Sequence, residues 1–382
     1  MGDRIKKART IVFVTHEFTK SGAPLCLLEI VRLMTAQGRR CIVVGPPRGL
    51  LLDEFLKTGG EFLPIAGISW LYAGAKRGKV KLLYLPIRIL VNCWLQLVLW
   101  VQFVRLKPDV IHLNSFAARF AALPARYSSS RTVWYLLEYY QFQPFLKRAA
   151  QSLVALCSDC IVGGSEMTLD WWSGGLSGPR HEILYNAVEA SSQRPVPFKE
   201  KEFDVVYLGR YSPEKGVGEL VEAVALLAAQ GTSLRVAMVG SYESRRNEEW
   251  LRALIREHGV ENHFSWYENH PLPSDILRRS RVLALPSHRE GLGRAVLEAM
   301  ACRVPVLGSN TGGIPEAVQN NVTGILCPVG DVGAIARGLK HLACDESVNE
   351  RLGNAAYRLI LERFSFEVFS RRLVEIYDGV QS

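Results

Sequence analysis

No repeat of 20–50 residues and no low-complexity tract runs through this sequence, which excludes solenoids, propellers and fibrous arrays. Charge is sparse: Asp, Glu, Lys and Arg make up 22% of the chain and apolar residues 48%, so it is not a disordered, collagenous or coiled-coil sequence. The eight cysteines form no regular framework. Cys157 and Cys160 make one Cys-x-x-Cys without a second pair at ligand spacing, so they read as half-buried thiols at a helix end rather than a zinc site. Unframed cysteines favour reduced thiols and a cytoplasmic address. A secretory signal is not expected, because the basic start meets only residues 11–14 before Thr15 and His16. Lys6 stands where N-myristoylation wants Ser or Thr.

What is present fits two domains, since 382 residues exceed one ordinary core. The net charge of +9 is unevenly held: 24 basic and 13 acidic residues precede position 196, and 22 and 24 follow it. A basic first half beside a near-neutral second half implies an anionic partner for the first alone. Short β-branched runs alternate with helical patterns, which argues for a parallel α/β fold. Strands are expected near 11–14, 41–44, 62–65, 110–113, 133–136 and 161–163, then near 205–208, 236–239, 264–266, 282–285 and 304–308. The stretch 190–202 holds two prolines and a charge cluster without periodicity, so it is the linker candidate. The domains are then an N-terminal lobe, 1–190, and a C-terminal lobe, 203–362. A terminal helix over 363–382, with Phe366, Phe369, Leu373 and Ile376 on one face, closes the second lobe or crosses back to the first. Ligands of open α/β sheets sit beyond the carboxyl ends of the strands, so two such lobes are expected to face a cleft.

Residues 82–104 are long and apolar enough to span a bilayer, but polar residues interrupt them. At about 100° per residue from Arg88, Lys81, Asn92, Gln96 and Gln102 fall near 20°, 40°, 80° and 320°. They share one stripe of about 120°, so the segment reads as a helix with a very wide apolar face and not as a span. Lys76, Arg77, Lys79 and Lys81 gather just before it. Two readings stand: the face is buried against the first sheet, or it docks with the basic cluster on anionic lipid.

The densest chemistry lies in 285–306. A strand ends at Pro286, a loop carrying Gly291 and Gly293 follows, and a helix begins near Arg294. A glycine-rich strand-to-helix turn gathers free N–H groups and a positive helix end, which suits phosphate. Glu290 in the loop is placed to reach a ligand, and Glu298 in the helix to hold a ribose diol or simply an i,i+4 ion pair with Arg294. Upstream, 205–217 reads as a strand, a turn at Gly209 and a loop bearing Arg210 and Lys215, a planar fork and a point charge suited to a diphosphate or a pair of surface cations. In the first half, a strand leads into Thr19-Lys-Ser-Gly-Ala-Pro24, where Gly22 allows close backbone approach and Pro24 suits a first helical turn.

Glu290-x7-Glu298 in this frame resembles the signature of retaining glycosyltransferases of family 4, which have the GT-B fold; the resemblance covers nearly the whole chain and is densest from 205 to 328. Gly209-Arg210 with Lys215-Gly216 resembles that family's diphosphate site, Gly312-Gly-Ile-Pro-Glu316 a further element, and the Gly22 loop its amino-terminal glycine loop. The resemblance implies that Glu290 contacts the donor sugar, Glu298 the nucleotide ribose, and Arg210 and Lys215 the diphosphate. Gly22, Gly209, Gly291, Leu292, Gly293, Thr311 and Gly312 then line the donor. Three positions depart from the pattern. Asn114 stands where a second histidine often follows His112, leaving Asn114 on the sugar side and His112 as a packed strand residue. Arg303 stands where glycine is frequent, and Ala187 follows Asn186 where Asn-Gly is frequent.

The expectation is therefore a metal-independent retaining glycosyltransferase without a cofactor, since no paired-aspartate motif stands out. It would move a sugar from a nucleotide-sugar donor to a glycan or lipid-linked acceptor in polysaccharide or glycoconjugate synthesis, with no nucleic-acid partner. It would work in the cytoplasm, with peripheral contact to the inner membrane face as the membrane reading. The rivals are a sugar-nucleotide epimerase or phosphorylase on the same fold, and a non-catalytic nucleotide-sugar-binding regulator.

Overall fold

A computed structural model describes residues 10–19, 22–68, 85–192, 194–268, 270 and 272–380. The basic cluster Lys76, Arg77, Lys79 and Lys81, the start of the 82–104 segment, and Lys6 lie outside the described residues.

The chain divides into two compact units, Met1–Leu184 with Ser370–Ser382, and Tyr185–Phe369. In the first, the strands are β1 (Thr10–Val14), β2 (Arg40–Gly45), β3 (Glu61–Pro64), β4 (Val110–Asn114), β5 (Arg131–Leu136), β6 (Cys160–Gly163) and β7 (Arg180–Ile183). They form one sheet in the order β3-β2-β1-β4-β5-β6-β7, every pairing parallel. The second unit holds β8 (Phe203–Tyr211), β9 (Val236–Tyr242), β10 (Phe264–Glu268), β11 (Ser280–Leu285), β12 (Val306–Ser309) and β13 (Gly324–Cys327), ordered β10-β9-β8-β11-β12-β13 and again parallel. Both orders reverse direction beside the first strand of the unit, which is the nucleotide-fold arrangement. The points of reversal are the β1/β4 and β8/β11 neighbours.

All eleven expected strands are present. The two that periodicity missed, β7 and β13, are short edge strands: β7 reads Arg-His-Glu-Ile and carries a single apolar residue. Central strands bury both faces, as in β1, where Ile11, Val12, Phe13 and Val14 are all fully buried, so they appear as continuous apolar runs.

The helices of the first unit are α1 (Gly22–Ala36), α2 (Leu52–Lys57), α3 (Leu85–Leu106), α4 (Ala122–Arg126), α5 (Pro144–Cys157) and α6 (Glu166–Ser173). Those of the second are α7 (Val217–Ala229), α8 (Arg245–Glu257), α9 (Pro273–Arg278), α10 (Arg294–Ala301), α11 (Ile314–Ala317), α12 (Val332–Cys344) and α13 (Glu346–Leu359), and α14 (Phe366–Gly379) ends the described chain. From Ser370 on, α14 belongs to the first unit. Arg39, almost fully buried, pairs with Asp378 at 2.8 Å, and the Tyr377 hydroxyl meets His112 Nδ1 at 2.8 Å.

The linker expected at 190–202 is instead folded onto the second unit. Ser191 N–H donates to Ala301 O at 3.1 Å, the Tyr357 hydroxyl donates to Ser191 O, and the Arg281 guanidinium lies 4.2 Å over the Phe198 ring. Prolines broke the periodicity there without freeing the backbone. All eight cysteines are free thiols; Cys157 closes α5 and Cys160 opens β6, and burial raises both thiol pKa values.

Arg303 adopts the left-handed conformation with φ 58°. It follows the end of α10, where Arg303 N–H bonds Met300 O and Val304 N–H bonds Ala299 O, the paired bonds of a Schellman cap. The guanidinium lies 3.6 Å over the Tyr357 ring, a contact glycine would lack and one that offsets the strain.

Candidate functional site

The carboxyl ends of β8 and β11 meet at the reversal point of the second sheet. After β8 the chain runs through Ser212 and a single turn, Pro213–Lys215, into Gly216, whose φ is +69°. A Cβ on Gly216 would stand 1.9 Å from Pro286 O. Only glycine lets this loop lie against the backbone leaving β11. The close approach brings Lys215 Nζ to Glu290 Oε2 at 2.8 Å, with both side chains more than four-fifths buried. Two further contacts fasten the loops: His288 N–H donates to Glu214 O at 2.9 Å, and Arg289 Nε to Glu214 Oε1 at 2.9 Å. His288 Nε2 also meets the Glu219 carboxylate on α7.

Glu290 is braced from behind by the turn after β12. A Cβ on Gly312, with φ +58°, would stand 1.9 Å from Glu290 O, and one on Gly313 2.1 Å from Gly291 O. Gly313 N–H donates to Gly291 O. The β11–α10 and β12–α11 loops are thus packed backbone on backbone, and the Glu290 carboxylate is aimed by the main chain rather than by a flexible loop. Its negative charge reaches the buried Tyr207 hydroxyl, whose pKa burial raises first and Glu290 second. Tyr207 in turn donates to Arg210 O at 2.7 Å, fixing the end of β8.

The remaining expected residues fall in distinct places. Arg210 is 62% exposed and pairs with Glu243 at 3.1 Å. Gly293 precedes α10 at φ +83° with no side-chain cap, leaving that helix start to its own N–H groups, beside Leu292, which is buried. Thr311 N–H donates to Ser309 O at 2.8 Å, so it is engaged within its own loop. Glu298 makes the i,i+4 pair with Arg294 at 2.8 Å. Arg294 and Glu298 line a cavity of about 400 Å³ with Glu189, Ser191, Asp275 and Arg278; Lys215 and Glu290 are not part of its wall. The two glutamates of the spacing motif therefore lie in separate surroundings.

Gly22 and Asn114 belong to the first unit. Gly22 opens α1, and nothing lies within 4 Å of where its Cβ would stand. Asn114, expected on the sugar side, is instead fully buried, and its Nδ2 donates to Ala23 O at 3.1 Å. It pins the start of α1 to the end of β4. His112 is the packed strand residue expected, wedged among Phe13, Tyr135 and Tyr377. Burial pushes its pKa down to about 3, opposed by the Asn114 side chain.

Sequence reasoning missed Glu214, Glu219, Glu243 and Tyr207, which hold the cationic and acidic residues in place. The three glutamates have no spacing signal, since their partners are 33–75 residues away, and Tyr207 bonds the backbone of its own strand, three residues on, like any strand tyrosine. Among the described residues no three His, Cys, Asp or Glu side chains gather as a metal-ligand set.

The family model described as Glycosyl transferases group 1 matches residues 189–359, the unit that carries the Lys215–Glu290 pair. The capsular polysaccharide biosynthesis glycosyltransferase CapM of Staphylococcus aureus is 28% identical over 185 residues, 46% of this chain and 46% of that protein. The glycogen synthase of Mycobacterium tuberculosis is 27% identical over 244 residues, 62% of this chain and 56% of that protein. The chain thus spans about half the length of the curated relatives it matches. Among solved structures, Anabaena HepE in complex with UDP superposes with a TM-score of 0.79 at 19% identity, covering 97% of this chain and 100% of that one. That likeness is one of fold: two parallel-sheet α/β lobes, the GT-B class.

Proposed function

We propose that this chain is a retaining glycosyltransferase that takes a nucleotide-activated sugar, works without a metal ion or cofactor, and transfers to a glycan acceptor. The observation that carries the reading is the Lys215–Glu290 pair, 2.8 Å apart and braced by glycine backbones at the β8/β11 reversal point. This is where open α/β sheets take ligands. When the glycosidic bond breaks, negative charge grows on the leaving diphosphate. Lys215, Arg210 and the start of α10 supply positive charge already held in place, so no reorganisation is needed as that charge appears. Glu290, hydrogen-bonded to Lys215, orients the donor sugar and is not a nucleophile; Glu298 holds the nucleotide ribose.

Support comes from the match of residues 189–359 to glycosyl transferases group 1 and from HepE, a structural neighbour solved with UDP and with UDP-glucose. CapM, named for capsular polysaccharide biosynthesis, supports a glycan acceptor. The acceptor is lipid-linked in this reading, and the enzyme is cytoplasmic with peripheral contact to the inner membrane face through its basic first half.

The test is incubation with a panel of nucleotide sugars, UDP-glucose included, followed by proton NMR of the sugar released. The first-formed anomer has the donor's configuration if transfer to water retains it. The opposite anomer overturns retention, and conversion to an isomeric nucleotide sugar without nucleotide release identifies an epimerase.

A further inference from the structure

Helix α3 packs the wrong way round for a helix of a water-soluble sheet protein. Leu95, Leu99 and Phe103 are fully buried in the core of the first unit against strand residues such as Val12, Val14 and Leu113. At about 100° per residue from Arg88 they lie near 340°, 20° and 60°. That is the same arc that holds Asn92, Gln96 and Gln102, all half-buried. The helix therefore turns its mixed face to the sheet. Its purely apolar face, from about 120° to 240°, is in solvent: Leu90 is 68% exposed, Leu97 58%, Trp94 51%, Val104 43% and Trp100 42%. The sheet does not bury the wide apolar face as one of the two readings expected: Leu95, Leu99 and Phe103 are core, and the opposite stripe is bare.

We infer that the bare face of α3 is the surface on which this protein lies on an anionic lipid leaflet, embedded parallel to the membrane plane. The inference rests on the reading that the first half meets a membrane, and it is independent of the sugar donor. Charge selects lipid over a second copy of the chain. Between Glu61 and Asp109 the sequence contains no Asp or Glu, while Lys76, Arg77, Lys79 and Lys81 precede the helix and Arg105 and Lys107 follow it. An apolar stripe preceded and followed in the sequence by cations, with no acidic residue among them, matches acyl chains beneath anionic headgroups. Two copies meeting on that stripe would bring like charges together. Trp94 and Trp100 add amphipathic rings suited to the interface, and the Trp100 indole N–H already donates to Tyr127 O at 3.2 Å. Ile89–Leu106 is long and apolar enough to cross a bilayer. Yet lifting it out would strip Leu95, Leu99 and Phe103 from the sheet, so it lies on the membrane instead of spanning it.

The test is sedimentation of the full chain with vesicles of phosphatidylcholine containing phosphatidylglycerol, at low and high salt, beside vesicles of phosphatidylcholine alone. The wild type should pellet with the anionic vesicles at low salt and progressively less as salt rises. The Trp94→Ser/Leu97→Ser variant should lose at least about tenfold in vesicle affinity, because two anchors of the stripe are removed. Its thermal melting and its hydrolysis of nucleotide sugar should match the wild type, since both side chains face solvent. Failure of the wild type to pellet at low salt would overturn the membrane reading itself. Pelleting of the variant equal to wild type would spare that reading and overturn the α3 face. A wild-type dimer in solution that the double variant dissolves would give the face to a second copy.

Discussion

Replacing Gly216 with alanine attacks the joint on which the proposed chemistry depends. The new Cβ would stand 1.9 Å from Pro286 O, whereas a carbon and a carbonyl oxygen need about 3.3 Å. The two loops must therefore part by about 1.4 Å. That shift would stretch the Lys215–Glu290 contact from 2.8 Å to about 4 Å, past hydrogen-bond range. A displacement of about 1 Å in a positioned group costs on the order of 10²-fold in rate, so turnover of Gly216→Ala should fall by about that factor. The φ of +69° adds strain of about 1–2 kcal/mol for a residue with a Cβ. In a unit of this size that lowers the melting temperature by about 2–8 °C. Gly231→Ala is the matched control: its φ is +81°, but nothing lies within 4 Å of the new Cβ. It should share the loss of stability and keep wild-type turnover. The assay is release of nucleoside diphosphate from the accepted donor, beside a thermal melt of each variant. Equal turnover in Gly216→Ala and Gly231→Ala would refute the claim that the β8–α7 and β11–α10 loops are held together for catalysis.

Lys215→Ala should cut turnover by about 10²–10³-fold, the scale for losing one preorganised donor, and calorimetry should show weaker nucleoside-diphosphate binding. Glu298→Gln should act on nucleotide affinity and Glu290→Gln on turnover with bound donor, which steady-state kinetics separates; identical losses of stability alone would leave Glu298 as the ion-pair partner of Arg294. Arg303→Ala should melt lower than wild type because it keeps the left-handed strain and loses the stack on Tyr357, while Arg303→Gly should recover about 1 kcal/mol relative to Arg303→Ala. His112 is held neutral by burial, with its pKa pushed down to about 3 from the ordinary histidine value of about 6.5. Between those pH values the unfolded chain binds a proton that the folded chain refuses, so stability falls as pH drops from about 6.5 toward 3, by up to about 1.4 kcal/mol per pH unit. Urea midpoints at about pH 7 and pH 5 should differ more in wild type than in His112→Gln. Chelator should leave turnover unchanged; loss that manganese restores would contradict the proposal that side-chain cations and helix N–H groups do the metal's work.

Central strands were legible because both faces are buried and their apolar runs are unbroken, as in 11–14 and 205–208. The edge strand β7 was not, because Arg180, His181 and Glu182 share it with one isoleucine. The stretch 190–202 looks like a linker for a related reason: Ser191 is held by hydrogen bonds to Ala301 and Tyr357, contacts with no local pattern. In the site, residue types carried the information for Lys215 and Glu290, and the glycines around them marked where backbones meet. What the sequence could not carry is which groups hold those residues, since Glu214 and Glu243 act through contacts far apart in the chain. Nor could it foresee Asn114 turned to Ala23 O. The helix of residues 85–106 was legible as apolar but not as inverted, because periodicity gives the angle between faces and not which face the sheet will take.

The most direct test of the central claim is calorimetric titration of nucleoside diphosphates, UDP among them, into wild type and Lys215→Ala. The account predicts that at least one nucleoside diphosphate binds the wild type and that Lys215→Ala binds it at least about tenfold more weakly while melting as a folded protein. Equal affinity in the two proteins, or no binding of any nucleoside diphosphate to the wild type, would contradict it.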